Sequence, residues 1–268
     1  MPLQDTDMSA TDRLVALMDH LGLGSAYIGT AIPRDISGLA TTYPERLAGV
    51  VLCVPSRLDP APFSDIAARV LMIAGERGPA AEATARATSR LPAAQRVVLP
   101  GYDAPGSWSD AVADRTDEIA DRMIAFLDRL AANGKRPDGP GPTAAEGRHA
   151  GISYRIEGSG PALMLLPFFL APSQWVPAIP RLARHFAVVT LGGPHLGGVA
   201  SLEDRARMPT YRAMFRTLID QVGPRPGEAI LEIGCGAGSL VRLLARRLGK
   251  ANPITAADVN PFLLREAA

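Results

Sequence analysis

Cysteine is scarce in this chain, with only Cys53 and Cys235 among 268 residues. They stand far apart, each inside an apolar stretch. That excludes a disulfide framework and any zinc-ligand spacing, and it fits a reducing cytoplasm. Neither sign of charge dominates. Lys and Arg number 28 against 27 Asp and Glu, a formal net charge of +1. No basic stripe runs along any expected helix, so nucleic acid is not expected as a partner. Long apolar runs are also missing, so no segment is read as crossing a membrane. Residues 1–11 are polar and acidic, unlike a signal peptide. What is abundant is apolar residue content, at 47%, enough for a sizeable core in one large or two ordinary domains.

The order of elements points to an α/β protein with a parallel sheet. Residues 12–21 read as an amphipathic helix with Leu14, Leu17, Met18 and Leu21 on one face. Short apolar strands are expected at 25–29, 49–54, 70–74 and 96–99. Helices are expected up to about Thr42, over 80–90 and over 110–132, the last with Val112, Ile119, Met123, Phe126 and Leu127 facing inward. Residues 101–108 read as a loop. The Gly- and Pro-rich stretch from Asn133 to Gly147 is the best linker, so 131–149 separates 12–130 from the region that starts at 150. Beyond it, strands are expected at 152–157, 162–166 and 186–191. A helix is expected over 172–185, then a loop over 192–198 and helical segments from Ser201 and from Pro209 to Val222.

The most informative stretch is Ala229-Ile-Leu-Glu-Ile-Gly-Cys-Gly-Ala-Gly-Ser-Leu240. A short apolar run reads as a buried strand and enters three glycines at alternate positions, Gly234, Gly236 and Gly238. A helix over 239–248 comes next, with Leu240, Leu243, Leu244 and Leu248 on one face. A second strand over 253–257 ends at Asp258. Glycines allow close approach of a ligand to the backbone, and a helix start offers unpaired N–H groups. The carboxylate twenty residues on stands where nucleotide-binding folds hold ribose hydroxyls.

Two family resemblances sharpen this outline. Residues 12–130 resemble the C-terminal half of an α/β-hydrolase, through Asp19-His-Leu-Gly22 before Tyr27-Ile-Gly-Thr-Ala-Ile-Pro33, through Tyr43-Pro-Glu-Arg46, and through Val70-Leu-Met-Ile-Ala-Gly-Glu76. Residues 150–206 resemble the N-terminal half, through Ile152-Ser-Tyr-Arg-Ile-Glu-Gly158, Leu163-Met-Leu-Leu-Pro-Phe168 and Gly193-Pro-His-Leu-Gly197. The resemblance implies a hydrolase-like body without its chemistry. Ala31 takes the nucleophile position, Gly78 the acid position, and 99–104 form a histidine loop with no histidine. Pro167-Phe168 replaces the His-Gly of the oxyanion hole. The two halves either pair as one permuted domain or belong to two partial ones. An atypical hydrolase using Thr30, or a non-catalytic binding or scaffold body, is the alternative reading.

Residues 207–268 are similar to the opening of a class I S-adenosylmethionine-dependent methyltransferase, with Leu231-Glu-Ile-Gly-Cys-Gly-Ala-Gly238 as its first motif. A nicotinamide fingerprint would place its third glycine where Ser239 stands. The resemblance implies the first β–α–β unit of a Rossmann-like domain with S-adenosylmethionine as cofactor. Cofactor contacts fall on Glu232, Gly234, Cys235, Gly236, Ala237, Gly238, Asp258 and Val259, with Asp258 on the ribose hydroxyls. The methyl acceptor is open, and no catalytic residue or metal ligand is assigned. The family carries several further strands, so the unit is read as truncated, docked on the preceding domain, or completed by self-association or a further C-terminal region.

Residues outside these motifs have plainer readings. Asp258 also suits the N-cap of a helix starting near Pro261. Cys235 suits a small filler of the turn. His195 is read as a surface or capping residue, His20 and His185 as helix-end residues, and His149 as part of the linker. Trp108 and Trp175 read as core aromatics, and Ser107 and Ser109 as non-nucleophilic.

Overall fold

Four apolar runs in the first half of the chain become neighbouring parallel strands: β1 (Ala26–Thr30), β2 (Leu47–Cys53), β3 (Val70–Arg77) and β4 (Gln95–Asp103). The computed structural model describes residues 8–103, 110–169, 171–259, 263, 264 and 267, with Ser201 as backbone only. Trp108, Ser107, Ser109, Pro261 and the rest of the expected 101–108 loop after Asp103 lie outside the described residues. Around the strands run α1 (Ala10–His20), α2 (Arg34–Thr42), α3 (Pro79–Thr88), α4 (Ala111–Asp114) and α5 (Thr116–Ala132). The start of α1 is set by a capping box, in which Ser9 accepts the Asp12 N–H at 3.1 Å. Its end is set by Gly22 at φ 69°, with the Leu23 N–H returning to the Met18 carbonyl at 2.8 Å.

The second half supplies β5 (Glu146–His149), β6 (Ile152–Glu157), β7 (Ala162–Leu165) and β8 (Ala187–Gly192), with the one-turn α6 (Ile179–Leu182) before β8. All eight strands form one sheet in the order β4-β3-β2-β1-β7-β8-β6-β5. The junction between the halves is β1 beside β7, parallel, with Tyr27 opposite Leu163 and Ile28 opposite Met164. Only β6 and β5 run antiparallel to their neighbours. The strands are near-continuous apolar runs because both faces of the sheet are covered. Alternate side chains go to opposite faces. Tyr27, Val51, Leu71 and Ile73 join Met123, Phe126, Leu127 and Trp175 in one cluster. Ile28, Val50, Leu52 and Met72 join Leu14, Leu17, Met18, Ile36 and Leu39 in the other. Each such side chain, fully buried, contributes roughly 1.5–3 kcal/mol.

The structure departs from the sequence expectations at several elements. The expected linker 131–149 contains β5, an edge strand paired with β6 from Glu146 opposite Arg155 to His149 opposite Ile152. The His149 ring stacks on that of His20, with centroids 4.3 Å apart and planes within 1°. The expected helix over 172–185 is a 3-10 turn at Pro172–Trp175 followed by α6, because Pro177 and Pro180 remove backbone donors where a longer helix would need them. The expected helix over 110–132 breaks at Arg115, whose φ of −134° is not helical. Residues 192–198, expected as loop, already include the start of α7 (Gly197–Arg207). Among the described residues no helix is long and apolar enough to cross a membrane.

The described chain divides into two compact units, one up to Gly197 and one from Gly198 onward. The second contains most of α7, then α8 (Pro209–Val222), β9 (Ile230–Ile233), α9 (Ser239–Leu248) and β10 (Ile254–Ala257). β9 and β10 pair in parallel, Ile230 opposite Ile254 and Ile233 opposite Ala257. The strand read as buried is not: Leu231 and Ile233 are 61% and 80% exposed. A two-stranded sheet hides one face only, and these residues point from the other.

Candidate functional site: the glycine corner

The corner is built by β9, the turn 234–238, α9 and the end of β10. Gly234, Gly236 and Gly238 have φ of 78°, 56° and 79°, a region that side chains enter at a cost. The end of β10 ties the turn down. The Ala257 carbonyl accepts from the Gly234 N–H at 2.7 Å and the Cys235 N–H at 3.1 Å. Asp258 Oδ2 accepts from the Gly236 N–H at 2.8 Å. The Gly238 N–H closes the turn on the Cys235 carbonyl at 2.9 Å. A Cβ built at Gly234 meets nothing within 4 Å, and one at Gly236 meets only Leu202 at 3.9 Å. Gly234 and Gly236 are therefore required by backbone conformation, with open space over them, whereas a Cβ at Gly238 would also meet Ala267 at 3.0 Å. Among the described residues no side chain caps the N-terminus of α9, which leaves its first N–H groups for an incoming acceptor.

Each expected site residue can be placed on this corner. Glu232 is half-buried on β9. Its Oε2 is buried with no hydrogen-bond partner among the described residues, and burial pushes its carboxyl pKa up. Cys235 and Ala237 are buried. Burial first, then the charges of Asp258 and Glu232, push the Cys235 thiol up, so it is a poor thiolate and matches its reading as filler. Asp258 and Gly236 are in direct contact, and Val259 beside them is fully exposed. The helix near Pro261 that Asp258 was expected to cap begins outside the described residues.

Three further side chains hold the corner and carry no motif in the sequence. Arg242 donates to the Ala237 carbonyl in the turn at 2.6 Å and pairs with Glu203 of α7. The Ser239 hydroxyl also donates to Glu203, at 3.4 Å. Arg242 is detectable, since it stands one helical turn after Gly238. Glu203 lies on another helix, and no local spacing connects it to the turn.

Comparison with known proteins finds methyltransferases. The chain is 31% identical over 70 residues to nocamycin O-methyltransferase of Saccharothrix syringae, 26% of this chain and 25% of that protein. It is 32% identical over 68 residues to aklanonic acid methyltransferase DauC of Streptomyces sp. strain C5, 25% of this chain and 31% of that protein. It is 45% identical over 45 residues to ribosomal RNA small subunit methyltransferase A of Albidiferax ferrireducens, 17% of each. No family model matches. The chain thus spans less than a third of the length of each of these curated relatives. What emerges is an α/β protein, about a quarter of which is related to S-adenosylmethionine-dependent methyltransferases.

The arrangement fits such a cofactor. The end of β9 carries a buried carboxylate oxygen of Glu232 with no partner among the described residues, open space lies over Gly234 and Gly236, and no side chain among the described residues caps the helix start.

Proposed function

We propose that the second unit is the cofactor-binding beginning of a class I S-adenosylmethionine-dependent methyltransferase. The observation that carries this is the corner itself: the turn from Gly234 to Gly238 tied to the end of β10, with open space over Gly234 and Gly236, Asp258 on the Gly236 N–H and Glu232 at the end of β9. In this reading the turn passes under the methionine and ribose portions. Asp258 accepts from the ribose hydroxyls, and the orphaned Glu232 oxygen takes a hydrogen-bond donor. The bound cofactor supplies a methyl group already activated on a sulfonium. The chain's contribution is therefore to hold and orient it. The relatives' names include an O-methyltransferase and a ribosomal RNA methyltransferase, so the acceptor does not carry over to this chain. The open apolar face of β9 and β10 needs a cover, either a second copy or further polypeptide; sedimentation at increasing concentration distinguishes them. Calorimetry with S-adenosylmethionine and S-adenosylhomocysteine tests the reading. Binding is expected, weakened about tenfold or more in Asp258→Ala, as for loss of a hydrogen bond to a charged group. A folded sample giving no heat with either ligand removes methyl transfer from this chain.

For the first unit we infer a catalytically silent, permuted α/β-hydrolase-like body. Its support is the strand order. The strands of 146–206, placed before those of 12–130, run across the sheet as the hairpin β5–β6, then β8, β7, β1, β2, β3 and β4. The positions the resemblance assigns to nucleophile, acid and oxyanion hole, Ala31, Gly78 and Pro167-Phe168, all come directly after the carboxyl ends of parallel strands. None supplies the required group.

A further inference from the structure

A second feature belongs to the first unit and lies at the amino ends of its strands. A cleft of about 500 Å³ opens beside the starts of β1, β2 and β3, away from the strand ends where hydrolase-type chemistry would sit. Its walls come from three places: Ser25 before β1, Glu45 before β2, and Asp65 and Arg69 in the 3-10 helix before β3. The facing wall is the turn after α5, carrying Lys135 and Arg136.

The backbone under these cations is fixed. The Lys135 N–H donates to the Leu130 carbonyl at 2.9 Å, and the Lys135 carbonyl accepts from the buried Tyr27 hydroxyl at 2.7 Å. Arg69 is aimed by one guanidinium nitrogen, which donates to the Leu47 carbonyl at 2.5 Å and the Pro44 carbonyl at 3.3 Å. Its remaining donors meet no carboxylate among the described residues. Asp65, four residues earlier, lines the same cleft without forming a salt bridge to Arg69. Burial without a counter-charge lowers the Arg69 pKa. Neither Lys135, Arg136, Glu45 nor Asp65 forms an ion pair among the described residues. A half-buried, oriented guanidinium that makes no salt bridge among the described residues, with two more cations lining the same cleft, favours an anionic ligand. The two carboxylates at the same cleft accept hydrogen bonds, so the complementary ligand also carries donors.

We propose that this cleft binds a small phosphate monoester bearing hydroxyl groups, its phosphate on Arg69, Lys135 and Arg136 and its hydroxyls toward Glu45 and Asp65. An oriented guanidinium matches tetrahedral oxyanions through paired N–H donors, and the ammonium adds a point charge.

The test is calorimetry on the full chain at low ionic strength, with sn-glycerol 3-phosphate, inorganic phosphate and glycerol as probes. The ester is expected to bind at least tenfold more tightly than inorganic phosphate, and glycerol is expected to give no heat. Lys135→Ala combined with Arg136→Ala changes only exposed side chains. It is expected to weaken both phosphates at least tenfold with an unchanged circular dichroism spectrum. Glu45→Ala combined with Asp65→Ala is expected to bring the ester down to the affinity of inorganic phosphate. Absence of heat with the ester, or an unchanged Kd in the Lys135/Arg136 variant, overturns the proposal. Equal affinity for ester and inorganic phosphate overturns its hydroxyl part.

Discussion

Asp35 is a buried carboxylate with no motif around it in the sequence. It sits in the first turn of α2, 6% exposed, and its Oδ2 accepts from the Gly197 N–H at 2.7 Å. Burial raises its pKa more than that hydrogen bond and the Arg34 charge lower it. A native pKa above the unfolded one, about 3.9, means that this group's share of stability is full below that value. It is lost as pH rises through the native value. Asp35→Asn keeps an acceptor for Gly197 without the buried charge. We expect urea midpoints higher than wild type at pH 7, converging toward pH 3; a lower midpoint at pH 7 would show that the ionised form is required. The candidate site was more legible at this scale. Gly234, Gly236 and Gly238 declare themselves by spacing because only glycine takes those φ values cheaply. Glu203 did not, since its role exists only once α7 packs against α9.

At the scale of elements, the apolar strands and α1 come from periodicity and caps; most boundaries shift by a residue or two, but β3 runs three residues past its expected end and β4 runs to Asp103, into the expected loop. The departures share one cause. β5 is polar because it is an edge strand, so pattern alone reads it as linker. The segment after β7 is rich in proline, and its position is set by tertiary contacts instead of helix propensity. There Trp175 is fully buried, its indole N–H donates to the Leu166 carbonyl at 2.7 Å, and its ring meets Phe168 edge-on with centroids 5.0 Å apart. Trp175→Ala should cost about 3–5 kcal/mol in denaturant unfolding. A loss below about 1 kcal/mol would mean that the 3-10 turn is not held by this side chain.

For the molecule as a whole, one sheet assembled from both halves of the first unit brings Ala31, Gly78 and Pro167-Phe168 to the ends of the parallel strands β1, β3 and β7. Ala31 has only a methyl group. The neighbouring Thr30 is fully buried, and its hydroxyl is engaged by the Ile32 N–H at 2.9 Å and the Ile32 carbonyl at 3.3 Å. No turnover of p-nitrophenyl acetate above buffer is expected. Turnover abolished by Thr30→Val would revive an atypical hydrolase.

The sequence by itself determined the α/β class, the parallel apolar strands and the glycine corner, because periodicity, capping and positive-φ glycines are local properties. Tertiary structure alone decided that β1 and β7 share one sheet, that Leu231 and Ile233 face outward, that Glu232 keeps an orphaned oxygen, and that five charged side chains from three distant segments line one cleft. Those outcomes depend on which surfaces meet. Burial and charge compensation are set by neighbours in space, which a one-dimensional pattern does not contain.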